Sequence, residues 1–228
     1  MTTPMQVGII GSGDVARSLG RAFITLGHSV MLGSRTPEGE KLQAWQQKMT
    51  AQIAASTSPA TQALCGSFEQ AARFGQLCVV AVRGAALESA LALAGPAHFA
   101  GKVVIDATNP LKMGPDKQLA LSVGFSDSMG EMTQRLLPAA KVVKAFNCVN
   151  NAHMFKPDFP GGQPEMFICG NDAEAKASVT ALLQQFGWTA LDAGGIDAAR
   201  YIEPFGVLGI RQAFKTGQWN YVLRVITK

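Results

Sequence analysis

The feature that most constrains this chain is the turn Gly11-Ser12-Gly13-Asp14-Val15-Ala16. It has the spacing G-x-G-x-x-A, and it stands where an apolar run, Gln6 to Ile10, gives way to a helical period. From Asp14 onward apolar residues recur at Val15, Ala16, Leu19, Ala22, Phe23 and Leu26, one face of a helix, and Gly27 stands where it stops. Ser29 to Gly33 follows as a second strand. Strand, glycine turn, helix and strand together fill roughly the 30 residues of a βαβ crossover. In such a unit the first glycine permits the tight turn and the second lets a pyrophosphate approach the backbone. The third small residue packs helix on strand, and the helix N-terminus offers free N–H groups to phosphate.

The alternation continues along the chain. A short strand near Ala63 precedes a helical stretch from Gly66 to Phe74, and Leu77 to Val82 reads as a strand buried on both faces. Helix is expected over Ala85–Leu93 and Ser126–Leu137, strand over Lys102–Ala107 and Lys141–Phe146, and loop over Leu111–Gly124. Beyond Asn147, residues 151 to 162 carry two prolines and two glycines and read as a connection. Met166–Cys169 is then a strand, Asn171-Asp172 with Glu174 caps a helix that stops at Gly187, and Trp188–Leu191 is a strand. Asp197–Phe214 reads as a helix perturbed at Pro204 and Gly206. The fold class is α/β: a Rossmann-type, doubly wound, mostly parallel sheet extended by a C-terminal strand-helix-strand-helix region. The expected division is a dinucleotide-binding domain over residues 1–149 and a smaller C-terminal region over 150–228.

Composition narrows the partners. With 228 residues, 47% hydrophobic and 16% charged, the chain has the apolar mass for a large core. The 20 basic and 16 acidic residues leave +4 without a basic block, which argues against nucleic acid. No run approaches the ~18 apolar residues of a membrane span, and residues 1–5 do not read as a secretory signal. Cys65, Cys78, Cys148 and Cys169 stand far apart and read as reduced thiols, which points to the cytoplasm, and no cluster suggests a metal.

Cofactor choice is written at the end of the second strand. An NAD site places a carboxylate there, and this chain has Ser34-Arg35-Thr36 instead: two hydroxyls and a guanidinium suited to a 2′-phosphate. NADP(H) is therefore expected over NAD. Ligands of an open α/β sheet lie outside the strand C-termini, which here read Ala81-Val82-Arg83, Asp106-Ala107-Thr108-Asn109-Pro110 and Ala145-Phe146-Asn147. Asn109 and Asn147 could orient a carboxamide or an acceptor, and Arg83 could clamp an anionic group, against the alternative that they cap loops and helices. Asp106, set in an apolar run, reads as a structural carboxylate bonded to backbone N–H groups. His28 and His98 read as solvated; only His153, soon after the strand ending at Asn147, could approach a site, and the reading without a functional role is favoured for it too. Tyr201 and Tyr221 have no lysine four residues on, so no tyrosine–lysine catalytic pair is present, and no catalytic side chain is assigned.

These blocks resemble a known family. Val7 to Gly20 with Leu26-Gly27-His28 and Gly33-Ser34-Arg35 looks like the deazaflavin (coenzyme F-420)-dependent NADP oxidoreductases, and is also similar to the NADPH-binding domain of the STEAP metalloreductases. The likeness continues through Asp106 to Leu111, Lys141 to Asn147, Ile168 to Asp172 and Leu191 to Gly195. It implies NADPH held by Ser12, Gly13, Asp14 and Val15 at the pyrophosphate and by Ser34 and Arg35 at the 2′-phosphate. It also implies an acceptor ring, from a deazaflavin, FMN or FAD, near the later strand ends, and a homodimer through the C-terminal region. The STEAP proteins continue into a haem-bearing membrane domain that has no counterpart up to Lys228, so transmembrane electron transfer is not expected of this chain.

The leading expectation is an NADPH-dependent oxidoreductase exchanging hydride with a deazaflavin or flavin. Such a transfer needs aligned rings more than a side-chain acid. The alternatives are a reductase of a small C=N or C=O substrate and a non-catalytic NADP(H) sensor. The cofactor contacts expected on sequence are Gly11, Ser12, Gly13, Asp14, Val15, Ser34, Arg35, Thr36, Ala81, Val82, Arg83, Asn109, Pro110, Ala145 and Asn147.

Overall fold

A computed structural model describes residues 3–56, 61–114 and 118–225. Strand β1 (Gln6–Ile10) buries Val7, Ile9 and Ile10 completely and lies between β2 (Ser29–Gly33) and β4 (Leu77–Val80), parallel to both. Beyond β2 lies β3 (Ala63–Gly66), also parallel. A strand with both faces covered must be apolar, as β4 is throughout and β1 is from Val7 onward. Together with β5 (Val103–Asp106), β8 (Lys141–Lys144), β9 (Glu165–Gly170) and β10 (Thr189–Asp192) they form a mostly parallel sheet in the order β10-β9-β8-β5-β4-β1-β2-β3. This is the Rossmann-type α/β fold expected from the sequence.

The chain divides into two compact units. The first comprises Met1–Val82, Ala86–Val104 and Leu136–Ala140; the second comprises Arg83–Ala85, Ile105–Arg135 and Lys141–Lys228. In the first, α1 (Asp14–Thr25) turns Ala16, Leu19, Ala22 and Phe23 inward, the period read from sequence, and Gly27 follows it at φ 87°. Helix α3 (Phe68–Phe74) starts at a reciprocal cap: Ser67 Oγ accepts the Gln70 N–H at 3.1 Å, and Gln70 Oε1 accepts the Ser67 N–H at 2.8 Å. The cap places Gly66 in β3 rather than in the helix. A further helix, α2 (Glu40–Ala54), is not among the elements expected from sequence, because only Leu42, Trp45 and Met49 of its 15 residues are buried. Helix α4 (Leu87–Ala94) completes the unit.

His28 departs from its expected solvation. Gly27 turns the chain inward, so the ring is fully buried against Phe23, and its Nδ1 accepts the Met5 N–H at 3.2 Å. Burial lowers its pKa and keeps it neutral.

In the second unit β9 runs antiparallel to β8 and parallel to β10. Helix α5 is Met129–Leu136, and α6 (Ala173–Phe186) is capped by Asp172, whose carboxylate accepts the Ala175 N–H at 2.8 Å, and ends at Gly187 with φ 90°. The stretch expected as loop contains a two-stranded hairpin, β6 (Leu111–Met113) with β7 (Leu119–Leu121). Its strands are three residues long and only half-buried or exposed, too short to mark the sequence with a period. Helix α7 (Ala199–Thr216) runs unbroken through Pro204 and Gly206. Side chains from the end of β8 support it there: Asn147 Nδ2 and the Cys148 thiol both donate to the Ile202 carbonyl, at 3.2 and 3.3 Å.

Candidate functional site

In the first unit, register brings the expected cofactor residues to one edge. Ile10 stands opposite Gly33 of β2 and Val80 of β4, so Gly11, Ser34 and Ala81 follow one another across the strand ends. Gly11 donates its N–H to the Gly33 carbonyl at 3.2 Å, and Ala81 donates to Ile10 at 2.9 Å. Gly11 has φ 143°, and a Cβ there would lie 2.4 Å from the Ala81 carbonyl oxygen, so no other residue fits. At Gly13 the requirement is the opposite: an added Cβ would meet nothing within 4 Å. That open space lies at the start of α1, where no side chain caps the helix and the first N–H groups have no partner within it. A dinucleotide pyrophosphate fits this cradle.

Beside it, Ser12 Oγ donates to Ser34 Oγ at 3.4 Å, and Ser34 Oγ accepts the Thr36 N–H at 3.1 Å, folding the β2 end into a tight turn. Ser34 is buried, whereas Arg35 and Thr36 project into solvent, and Arg35 has no ion pair or hydrogen bond among the described residues. A free guanidinium next to two hydroxyls, with no carboxylate at the strand end, is what a 2′-phosphate requires. Val15 and Val82 are half-buried. The sequence does not single out Arg17, one turn into α1. It bonds the Ser12 carbonyl through Nη1 at 3.0 Å and the Asp14 carboxylate through Nη2 at 2.5 Å.

In the second unit the strand ends carry a separate cluster. Asn109 Nδ2 donates to the Asn147 carbonyl at 2.8 Å, and Asn147 Nδ2 donates back to Asn109 Oδ1 at 3.2 Å. Asn147 is buried and its amide is fully engaged, so its own role is to hold Asn109, which is half-buried. Phe146, between Ala145 and Asn147, adopts φ 64°, a left-handed conformation that costs a non-glycine residue about 1–3 kcal/mol. Its buried ring on Phe186 holds it there. Ala145 is buried and donates to the Asp106 carbonyl at 3.1 Å, and Pro110 is buried with its carbonyl accepting from Ser122. Arg83 is exposed, and the adjoining Gly84 packs against the Asn109 carbonyl.

Under this cluster lies a charge network only partly legible in the sequence. Lys144 Nζ is 3.1 Å from Asp106 Oδ2, 2.7 Å from Glu203 Oε1 and 2.6 Å from the Thr108 carbonyl, and all three charged side chains are sealed from water. Asp106 Oδ1 accepts the Thr108 N–H at 2.9 Å, as expected of a structural carboxylate. Glu203 accepts the N–H groups of Met129 and Gly130, at the start of α5, at 3.0 Å each. Burial works against the Lys144 charge, but the two carboxylates outweigh it and hold its pKa above the usual lysine value; burial raises that of Glu203. The sequence signals of this network are Asp106, read above as a structural carboxylate, and Lys144, a lone cation in the apolar run Val142–Phe146; Glu203 carries none.

The thiols are free. Burial pushes Cys148 and Cys169 up to about 12, so neither offers a thiolate at neutral pH. His153 bonds Asn220 at 2.9 Å and packs on Phe159, a structural setting. No helix among the described residues is long and apolar enough to cross a membrane.

Residues 6–110 match the family described as NADP oxidoreductase, coenzyme F420-dependent. A crystal structure of an Arthrobacter sp. FB24 protein, provisionally designated an F420-dependent NADP-reductase, superposes with a TM-score of 0.88 at 32% identity and covers 98% of this chain and 100% of that one. Metalloreductase STEAP3 of Rattus norvegicus is 33% identical over 198 residues, 87% of this chain and 36% of that protein. The F420-dependent NADP reductase of Methanocaldococcus jannaschii is 37% identical over 105 residues, 45% of this chain and 47% of that protein. The chain thus spans about a third of the length of its STEAP relative and about half that of the archaeal one. Matched end to end by the Arthrobacter protein and carrying the glycine cradle and the Ser34-Arg35 turn, the chain belongs to the coenzyme F420-dependent NADP oxidoreductase family.

Proposed function

We propose that the protein is an NADPH-dependent oxidoreductase that exchanges hydride between NADP(H) and a deazaflavin or flavin. The observation that carries the cofactor half is the β2 end: a solvent-facing Arg35 without a partner among the described residues, beside the Ser12–Ser34 hydroxyl pair, where an NAD site would need a carboxylate. In this reading the N–H groups of Ser12 to Val15 bind the pyrophosphate across the space left by Gly13. Ser34, Arg35 and Thr36 hold the 2′-phosphate, and Gly11, Ala81 and Val82 shape the strand ends beneath the cofactor. Nicotinamide supplies the hydride chemistry when bound. The protein's part is to bind and orient, and because the proton that accompanies the hydride can be drawn from solvent, a side-chain acid is needed less strictly than in carbonyl reduction.

Within the second unit, the residues expected to contact the cofactor are Asn109, held by Asn147, with Pro110, Ala145 and the exposed Arg83. The exposed apolar side chains Tyr201, Leu208 and Phe214 on α7 support assembly as a homodimer through residues 150–228.

A panel of acceptors decides: coenzyme F-420, FMN, FAD and chelated ferric iron, each with NADPH and with NADH. Faster oxidation of NADPH with the deazaflavin or a flavin is the expected result. Equal use of NADH would overturn the 2′-phosphate assignment, and tight NADPH binding with no turnover on any acceptor would leave a sensor in place of an enzyme.

A further inference from the structure

Asp14 is out of place in a pyrophosphate cradle. It occupies the first position of α1, where its carboxylate, 77% exposed, competes for the same positive helix end that a phosphate would use. An uncompensated charge there repels a dianionic pyrophosphate at close range. The structure supplies the compensation within one turn. Arg17 reaches back along α1, bonds Asp14 Oδ1 at 2.5 Å and, with its other terminal nitrogen, the Ser12 carbonyl at 3.0 Å. Its backbone is held in turn, because the Trp45 indole donates to the Arg17 carbonyl at 3.2 Å. The guanidinium is therefore anchored at both ends of the cradle, over the segment Ser12-Gly13-Asp14.

We infer that Arg17 is a positioning residue for the dinucleotide: it neutralises Asp14 and draws that carboxylate aside, so that the glycine loop accepts the pyrophosphate. This rests on the NADP(H) reading above and adds to it a residue outside the glycine motif and outside the 2′-phosphate turn. The ligand class it serves is the diphosphate bridge, not the adenosine 2′-phosphate. Arg35 thus serves the 2′-phosphate directly, and Arg17 serves the diphosphate through Asp14 and the glycine loop.

The test is direct binding by fluorescence titration of NADPH and of 2′-AMP, which lacks the diphosphate, to four proteins: wild type, Arg17→Gln, Asp14→Asn and the double variant. Far-UV circular dichroism and melting curves check that each is folded. Arg17→Gln is expected to weaken NADPH about fivefold, the scale of an exposed ion pair, and to leave 2′-AMP binding within about twofold of wild type. Adding Asp14→Asn should restore NADPH affinity to within about twofold of wild type, because the charge that Arg17 compensates is gone. A double variant as weak as Arg17→Gln would overturn the inference, since Arg17 would then act only by shaping the loop through Ser12. Loss of 2′-AMP binding in Arg17→Gln would also overturn it. Failure of the wild type to bind NADPH would instead sink the cofactor reading itself.

Discussion

Lys144 Nζ stands 2.7 Å from Glu203 Oε1, with neither side chain more than 1% exposed. The pair ties the end of β8 to α7, and Asp106 at 3.1 Å ties both to the end of β5. Taking a charge out of water is expensive, so the network holds only while its members are matched. Lys144→Met leaves two carboxylates facing each other in the interior. It should cost about 3–5 kcal/mol in urea unfolding, and Lys144→Met with Glu203→Gln should cost less than the sum of the two single changes. Simple additivity would show that the charges do not interact.

Arg35→Glu should weaken NADPH by about 10- to 100-fold, the worth of a charge-assisted bond to a phosphate, and leave NADH little changed. Steady-state KM for the two cofactors gives the ratio. An unaltered preference would remove Arg35 from the site.

The two glycines of the turn should fail in different ways. Gly11→Ala meets the Ala81 carbonyl in a backbone conformation closed to alanine, and should destabilise the protein by about 3 kcal/mol. Gly13→Ala meets open space, and should fold at a cost under about 1 kcal/mol while losing NADPH affinity. Chemical denaturation and cofactor titration of both variants separate the effects.

Glu131 accepts two bonds from Arg200, at 2.9 and 2.6 Å, and that pairing lowers its pKa below the usual glutamate value. A depressed carboxylate contributes stability above its unfolded pKa and loses it as pH falls through the folded one. Glu131→Gln should therefore melt below the wild type at neutral pH, with the gap closing as the solution is acidified beneath the ordinary glutamate range. Melting curves from pH 7 to pH 3 would show it; a gap constant with pH would mean that the pair contributes by shape alone.

Elements with a long apolar period or a complete cap are legible in the amino-acid order alone: α1 with its stop at Gly27, α6 between Asp172 and Gly187, and the strands β1, apolar from Val7 onward, and β4, apolar throughout. Helix α2 is not, because three buried residues in a polar stretch leave no stripe to read. The hairpin β6–β7 is not, because short half-exposed strands carry no alternation. His28 has the sequence surroundings of a surface turn and is buried, since a glycine turn can aim the next side chain either way. The glycine turn and Ser34-Arg35 are legible because their chemistry is local. Arg17 is hidden, because an arginine one turn into a helix is ordinary until its partners are seen.

By itself, then, the sequence determined the α/β class, the crossover and the residues expected to face the cofactor's phosphates. Each depends on neighbours within about 30 residues, where period, capping and turn geometry act. Only the tertiary structure decided what those residues touch. The meeting of Lys144 with Glu203, 59 positions later, and of Asn109 with Asn147 depends on how strands and α7 are brought together. Burial then turns ordinary polar residues into a network, because a charge or amide removed from water must find its partner inside the protein.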